Sequence, residues 1–365
     1  MDAIKTVKGK IGMRQAAVMF SLALTAPILR IVPNYIATES QEGIWLVPLL
    51  AIIPAIILIC ALNSLINKYP DKNFDEILEV ILGSILGKIV AGLYMVWIFI
   101  LTTMYLRFYG ERFLSTILVG TPIEFIIVIM LAFLFWVVKS SLEAFARSTE
   151  ILIHLFALIF LFTFLIVIPD IEWTNLYSIT HHDLWYAGKS SYSLIGLFSY
   201  ITVVFFFGKQ INNKDKLKNY GIKSILFVVF LSLLMIISTV GVFGMDIIQQ
   251  FPFPFFIVLK NLMLFNSIER VESLFIAIWV VSDFVIIAMF LFAFFNLVKR
   301  LLKLKNKNNV VAPLMFIIFI FSLYIADSSF ELREFSRYIA SVVNIAMFWL
   351  VPIIVWGVGK IRRKI

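Results

Sequence analysis

Apolar residues fall in long blocks along this chain, each about as long as a bilayer is thick, and polar residues gather in the short stretches between them. Such blocks lie near 15–36, 44–66, 89–106, 123–138, 151–168, 190–207, 224–244, 273–296, 312–326 and 339–358. About 20 apolar residues cross a hydrocarbon core, so the pattern predicts ten membrane-spanning helices. The first block begins within the opening stretch and no small-residue cleavage site follows it, which reads as a retained span and not a signal peptide. The expectation is an all-α integral membrane protein, with residues 1–365 forming one domain whose solvent is the lipid bilayer.

Ten spans divide into two sets of five, 11–168 and 190–359. An odd number of spans per half puts the halves in opposite orientations, the inverted-repeat plan of many secondary transporters. That plan has a sequence pointer: an interrupted span at the same place in each half. Span one contains "SLALTAPILRIVPN", with Pro27, Arg30 and Pro33 inside an apolar run. Proline in a helix interior costs about 3 kcal/mol, and arginine at membrane depth adds at least ~2.5 kcal/mol. Its partner, span six, reads "SSYSLIGLFSYITVVFFF", with Gly196 at its centre and Ser191, Ser193 and Ser199 around it. Helices one and six are therefore expected to be interrupted. Unwound backbone at that depth lines a protein-enclosed cavity, where freed amides and carbonyls hold a zwitterion or an ion. A proline-kinked packing helix is the plainer reading of span one alone.

Composition sharpens this picture. The chain is 62% hydrophobic and 15% charged, with mean hydropathy +1.00, against about 25% charge in soluble domains. The net charge of +9 does not point to nucleic acid. Most of the 31 Lys and Arg sit in alternate loops, among them "GKQINNKDKLKNYGIK", "KRLLKLKNK" and the terminal "GKIRRKI". The positive-inside rule then places both termini in the cytoplasm. Cys60 is the single cysteine, and the histidines are His154, His181 and His182, so neither a disulfide nor a metal site is expected. No nucleophile–base pair, phosphate loop or metal signature occurs. The expectation is a protein that is not an enzyme and needs no cofactor.

One stretch resembles a known family. "FPFPFFIVLKNLMLFNSIERVESLFIAIWVVSDF", residues 251–284, resembles the segment before and within span eight of endospore germination permeases, the B subunits of nutrient germinant receptors. These form a branch of the amino acid–polyamine–organocation transporter superfamily. The matching residues are Phe251, Pro252, Phe253 and Pro254, then Ile268, Glu269, Arg270, Val271 and Glu272, then Ala277, Ile278 and Trp279. "LEAFARSTEIL" (142–152) and the order "LGK" then Thr121–Pro122 match as well. The resemblance implies the fold with two interrupted helices and the sensing of a small nutrient, with an amino acid foremost. It also implies the inner membrane of the endospore and assembly with A and C subunits. An ordinary amino-acid permease is the competing reading.

Candidate site residues follow from both lines. Asp283 is the only charge within span eight, 11 residues past Glu272 and so about 16 Å along the helix. Ionisable groups at that depth usually mark an ion or substrate path, or else hydrogen-bond a neighbouring helix. Trp279 lies one turn away on the same stripe. Arg30 is the natural counter-charge, with snorkelling to the interface as its alternative. Thr25, Ala26, Pro27 and Ile28 on span one, with Gly196, Leu197, Ser199 and Tyr200 on span six, are expected to line the substrate pocket. Tyr94 and Ile98 share a face of span three and are read as its wall, against plain packing. Arg147 and Glu150 at the start of span five are gate charges or a cap, and a proton or monovalent cation is a possible co-ligand. Arg107 and Glu111 form an i, i+4 pair, worth little at an interface. His181–His182 are read as an ordinary loop pair.

Overall fold

The structure is a computed structural model that describes residues 9–40, 43–118, 120–176, 181–251, 253–261, 271–306 and 308–365. The first half contains α1 (Met13–Ser40), α2 (Leu46–Leu50), α3 (Ile52–Lys68), α4 (Phe74–Leu82), α5 (Ser84–Thr116), α6 (Ile123–Lys139) and α7 (Leu142–Val167). The second contains α8 (His181–Ser190), α9 (Tyr192–Phe198), α10 (Ile201–Val204), α11 (Leu217–Phe243), α12 (Met245–Ile248), α13 (Pro254–Asn261), α14 (Val271–Leu301) and α15 (Asn308–Tyr324). The chain closes with α16 (Ser329–Glu334), α17 (Ser341–Asn344) and α18 (Val351–Ile361), joined through π-helical turns at Phe335–Ala340 and Ile345–Leu350. Among the described residues, seven helical segments are long and apolar enough to cross a membrane: Leu46–Lys68, Ser84–Thr116, Leu142–Asp170, Leu184–Gln210, Lys214–Phe243, Ser273–Leu301 and Ser329–Ile361. Asn308–Tyr324 is a shorter apolar helix.

Burial separates the middle of the bundle from its rim. Every residue of α14 from Val285 to Phe295 is buried, as is every residue of α1 from Met19 to Arg30. Helices apolar on all sides belong inside a bundle, and α1 packs against α11, α14 and α7. On the rim, Phe133 and Trp136 of α6, Ile85 and Leu93 of α5, and Ile151 and Leu158 of α7 are exposed. That is the face a membrane protein gives to lipid.

Helix one is not interrupted. The backbone of α1 stays helical through Pro27 and Pro33. The two rings deprive the carbonyls of Ala23 and Leu29 of their usual donors, but dense packing around Met19–Arg30 holds the segment in register. Hydroxyls meet the backbone beside the first ring: Ser21 Oγ donates to the Ala17 carbonyl at 2.9 Å, and Thr25 Oγ1 lies 2.6 Å from that of Leu22, its one proton shared with Ser282 Oγ of α14. Helix six does change course. Its ladder tightens to i→i+3 bonds between α9 and α10, with Tyr200 N–H on Leu197 O at 3.1 Å and Val203 N–H on Tyr200 O at 2.9 Å. A 3₁₀ stretch follows at Phe205–Gln210, with Phe207 out of helical geometry. Mid-helix 3₁₀ turns are common at hinges. Before α14, Pro254–Asn261 forms the short helix α13; residues 252 and 262–270 lie outside the described residues.

The end of the bundle where α1 begins is clamped. Ile11–Gly12 pairs in parallel with Ile211–Asn212, tying α1 to the end of helix six. Gly83, at φ +101, turns α4 back onto α5. Asn73 N–H donates to Glu76 Oε2 at 2.9 Å, closing the start of α4. That helix then presents Asp75, Glu76 and Glu79 to Arg300 at the end of α14. Arg300 bonds Asp75 and reaches Glu79 at 2.7 Å, while Lys209 of helix six holds Glu76 at 2.6 Å. Helices six and eight are thus both fastened to α4.

Asp75 makes this clamp sensitive to pH. Burial raises its carboxyl above the usual carboxylate range, and Arg300 opposes the rise. A group with a raised folded-state value binds more protons folded than unfolded, so its contribution to stability falls as pH rises. Arg300→Gln removes the opposing charge and leaves Glu76 with Lys209. The variant should therefore melt below the wild type by more at about pH 8 than at about pH 5, because lowering the pH favours the protonated form that burial of Asp75 prefers. Thermal unfolding in nanodiscs at the two pH values checks this, and an equal deficit at both would show that Asp75 is not the sensitive group.

Candidate functional site

The deepest polar residues gather where α14 meets α5 and α1. Asp283 of α14 is 0% exposed, and Arg112 of α5 is 1% exposed. Arg112 Nη1 stands 3.1 Å from Asp283 Oδ2. The contact lacks hydrogen-bond geometry, and both Asp283 oxygens are without a hydrogen-bond donor. Trp279, one turn before Asp283, lies under the Arg112 guanidinium at 4.9 Å, and Phe253 lies 5.7 Å from it. Ser282, beside Asp283, accepts a hydrogen bond from Thr25 of α1 at 2.7 Å. That bond joins the two innermost helices at the level of the charges.

The pair expected between Arg30 and Asp283 is not formed. Arg112 takes Asp283 instead, and Arg30 places its guanidinium 3.5 Å over the Phe108 ring and 4.9 Å from that of Tyr105. Arg30 is only 4% exposed, and none of its three guanidinium nitrogens has a hydrogen-bond partner among the described residues. It does not snorkel. A ring face returns roughly 0.5–2 kcal/mol to a cation, well short of the several kcal/mol lost on desolvating it. Tyr105, also fully buried, brings its hydroxyl toward Arg30 and Tyr200 without a well-formed hydrogen bond among the described residues, and its ring packs on Phe290 at 5.5 Å.

Beside this centre lies a seam between helix six and the π-helical turns of the last helix. Asn344 accepts from Trp97 Nε1 at 2.9 Å and donates to the Tyr200 hydroxyl at 2.8 Å. Thr202 Oγ1 donates to Phe348 O at 2.7 Å, and Ser199 Oγ donates to the Gly196 carbonyl at 2.6 Å. Gly196 belongs to this seam. A Cβ there would lie 3.0 Å from the Ser341 carbonyl, so its bare face lets helix six pack closely against α17. Tyr94 also turns this way: its hydroxyl bonds the Met347 carbonyl, among the rings of Phe74, Phe206 and Phe348.

Of the expected pocket residues, Thr25, Trp279, Asp283 and Arg30 meet at the centre, and Tyr200 flanks it through Phe290 at 5.1 Å. Ala26, Pro27, Ile28, Ile98 and Leu197 are buried among the helices. Arg147 and Glu150 do not pair with each other. Arg147 bonds Glu143, and Glu150 is bridged to Arg14 at 2.7 Å and Gln15 at 2.9 Å, tying α7 to the start of α1. Arg107 and Glu111 do pair, at 2.8 Å. The residues that sequence reasoning missed are Arg112, Asn344 and Ser282. Arg112 lies beyond the expected end of span three, yet Tyr105, Tyr109 and Arg112 at i, i+4 and i+7 share one helical stripe that announces it. The side chains of Glu272 and of His181–His182, and residues 268–270, lie outside what is described. Among the described residues, no group of His, Cys, Asp and Glu could hold a metal ion.

Double-mutant cycles separate the two arginines. Arg112→Leu and Asp283→Leu should each lower folded protein sharply, because each strands a buried charge. Combined, they should recover part of the loss, with a coupling of about 1–3 kcal/mol. The Arg30→Leu and Asp283→Leu cycle should couple more weakly. Stronger coupling to Arg30, read by unfolding in nanodiscs, would contradict the pairing seen here.

Comparison with known proteins fits this geometry. A family model described as spore germination protein matches residues 10–331. The Bacillus subtilis (strain 168) protein YfkT, named for spore germination, is 20% identical over 335 residues, covering 92% of this chain and 90% of its own length. Among solved structures, MhsT in complex with L-phenylalanine is similar over 94% of this chain and 88% of that one, with TM-score 0.65 and 14% identity. Mhp1, a nucleobase-cation-symport-1 family transporter in a closed conformation with bromovinylhydantoin bound, is similar over 98% and 80%, with TM-score 0.60 and 11% identity. At such identities the likeness speaks for the fold, which is that of these transporters. With an all-helical membrane bundle of that fold and a family match across most of its length, the chain belongs to the spore germination permeases.

Proposed function

We propose that this chain is the membrane subunit of a nutrient germinant receptor. It binds a small nutrient, foremost an amino acid, in a transporter-like site and signals germination with A and C partner subunits. In this reading the chain has ten spans in a 5+5 inverted repeat, both termini are cytoplasmic, and the protein sits in the inner membrane of the endospore. The observation that carries it is the buried, donor-rich centre at Asp283, Arg112 and Arg30, set between the two innermost helices of a transporter fold. Bundle folds of this kind place ligands between facing helices. The hinge-like 3₁₀ turns in helix six supply a part that can rearrange when the site fills.

A second reading is an ordinary permease that completes a transport cycle with a proton or monovalent cation. It is favoured by the fold likeness to MhsT, whose structure holds L-phenylalanine. One pair of measurements separates the readings. The receptor reading predicts that spores of a deletion strain lose germination toward at least one nutrient, while reconstituted vesicles accumulate no more labelled nutrient than empty ones. Concentrative uptake together with normal germination of the deletion strain would favour the permease.

A further inference from the structure

We infer that the buried centre takes an anion, a small organic acid whose carboxylate seats on Arg30, in preference to a zwitterion or a cation. The inference rests on the ligand-binding reading above and narrows its ligand class. Two guanidinium groups and one carboxylate share the centre, and all three are buried. Asp283 is engaged by Arg112. The nearby Arg107 is matched by Glu111 and by the Leu323 carbonyl at 3.0 Å. Among the described residues Arg30 alone of these has no anion, so the described centre holds one positive charge in surplus.

Its hydrogen-bonding inventory leans the same way. Nε, Nη1 and Nη2 of Arg30, Nε and Nη2 of Arg112, and the indole N–H of Trp279 are buried donors without acceptors. The Tyr105 hydroxyl adds another unmatched group. The unmatched acceptors among these side chains are the Asp283 oxygens, already held by the Arg112 charge, and the single Tyr105 hydroxyl oxygen, fewer than the unmatched donors. A guanidinium fork matches a carboxylate through two parallel bonds, and this geometry is why arginine recognises planar anions. A second carboxylate, or a carboxylate with no ammonium, cancels the surplus charge. A zwitterion leaves it in place, and its ammonium would compete with Arg112 for Asp283. A sodium ion or proton would raise it further. Chloride supplies the charge without the fork geometry.

The full-length protein in nanodiscs, in a HEPES buffer free of chloride and of carboxylates, tests this with labelled succinate, L-glutamate and L-alanine as probes and chloride as competitor. The expected result is saturable binding of succinate or L-glutamate, with L-alanine at least about tenfold weaker and chloride a poor competitor. Arg30→Gln should weaken binding of the acid about tenfold or more, the scale of one lost charge-assisted contact. Arg30→Lys should retain part of it. Folding is not at risk in Arg30→Gln, since it removes an unmatched buried charge, and its melting temperature without ligand should not fall. L-alanine binding as tightly as the acids, full displacement by chloride, or unchanged affinity in Arg30→Gln would each overturn the inference. If only L-alanine binds, the receptor reading stands and the anion assignment fails. If nothing binds and the deletion strain germinates normally, the receptor reading itself fails.

Discussion

A charge carried into the interior of a membrane protein has to be met by another charge or by a dense set of hydrogen bonds, and Asp283 is where this bundle meets that demand. Its carboxylate sits on the innermost part of α14, 12 residues from the start of that helix and so roughly 18 Å along it. Arg112 reaches it from the far end of α5, which fixes how these two long helices cross. Thr25 then fastens α1 to the neighbouring Ser282. Three helices from both halves of the chain are therefore set against one another by groups within one turn of Asp283. Because an ion pair of this kind is weak evidence for stability by itself, its value here lies in fixing register and in presenting Arg30 beside it with no partner.

The two ends of the molecule differ in how they are held. Where α1 begins, the links are numerous and ionic: Arg300 with Asp75 and Glu79, Lys209 with Glu76, Arg14 with Glu150, and the short strand pair. Toward the middle, helix six is attached to the last helix through Asn344, Thr202 and the close approach of Gly196. Helix six is thereby a strut with its clamp at one end and 3₁₀ turns along its length. A change in charge at the Asp283 centre has a short physical route to it through Phe290 and Tyr200. The same geometry serves a receptor that switches and a carrier that cycles, which is why function has to be argued from ligand and partners beyond the fold.

Much of this was legible in the chain because membrane thickness dictates block length. Most of the apolar runs coincide with helices to within a residue or two, seven of them in segments long enough to cross a membrane among the described residues, and the Arg107–Glu111 pair follows from local spacing. Asp283 and Arg30 stood out because a charge inside an apolar run is rare and needs a reason. What misled was the step from local sequence to partner. Pro27 weakens a helix locally, yet the packing around Met19–Arg30 keeps α1 continuous. Gly196 is special, as its position suggested, but for the backbone of Ser341 beside it. Arg112 pairs with Asp283 across 171 positions of sequence, and hydropathy had already closed span three before reaching it. Helical segments run past the hydrocarbon boundary, and their polar ends can fold back into the site.

The contact between α1 and α14 offers the most direct measurement. Thr25→Cys combined with Ser282→Cys, with the exposed Cys60 replaced by serine, puts two thiols where two hydroxyls now lie 2.7 Å apart. That proximity is compatible with disulfide geometry. Mild oxidation of membranes should cross-link the two helices efficiently, and reductant should separate them again. Failure to cross-link would contradict the account that α1 and α14 meet at a shared centre.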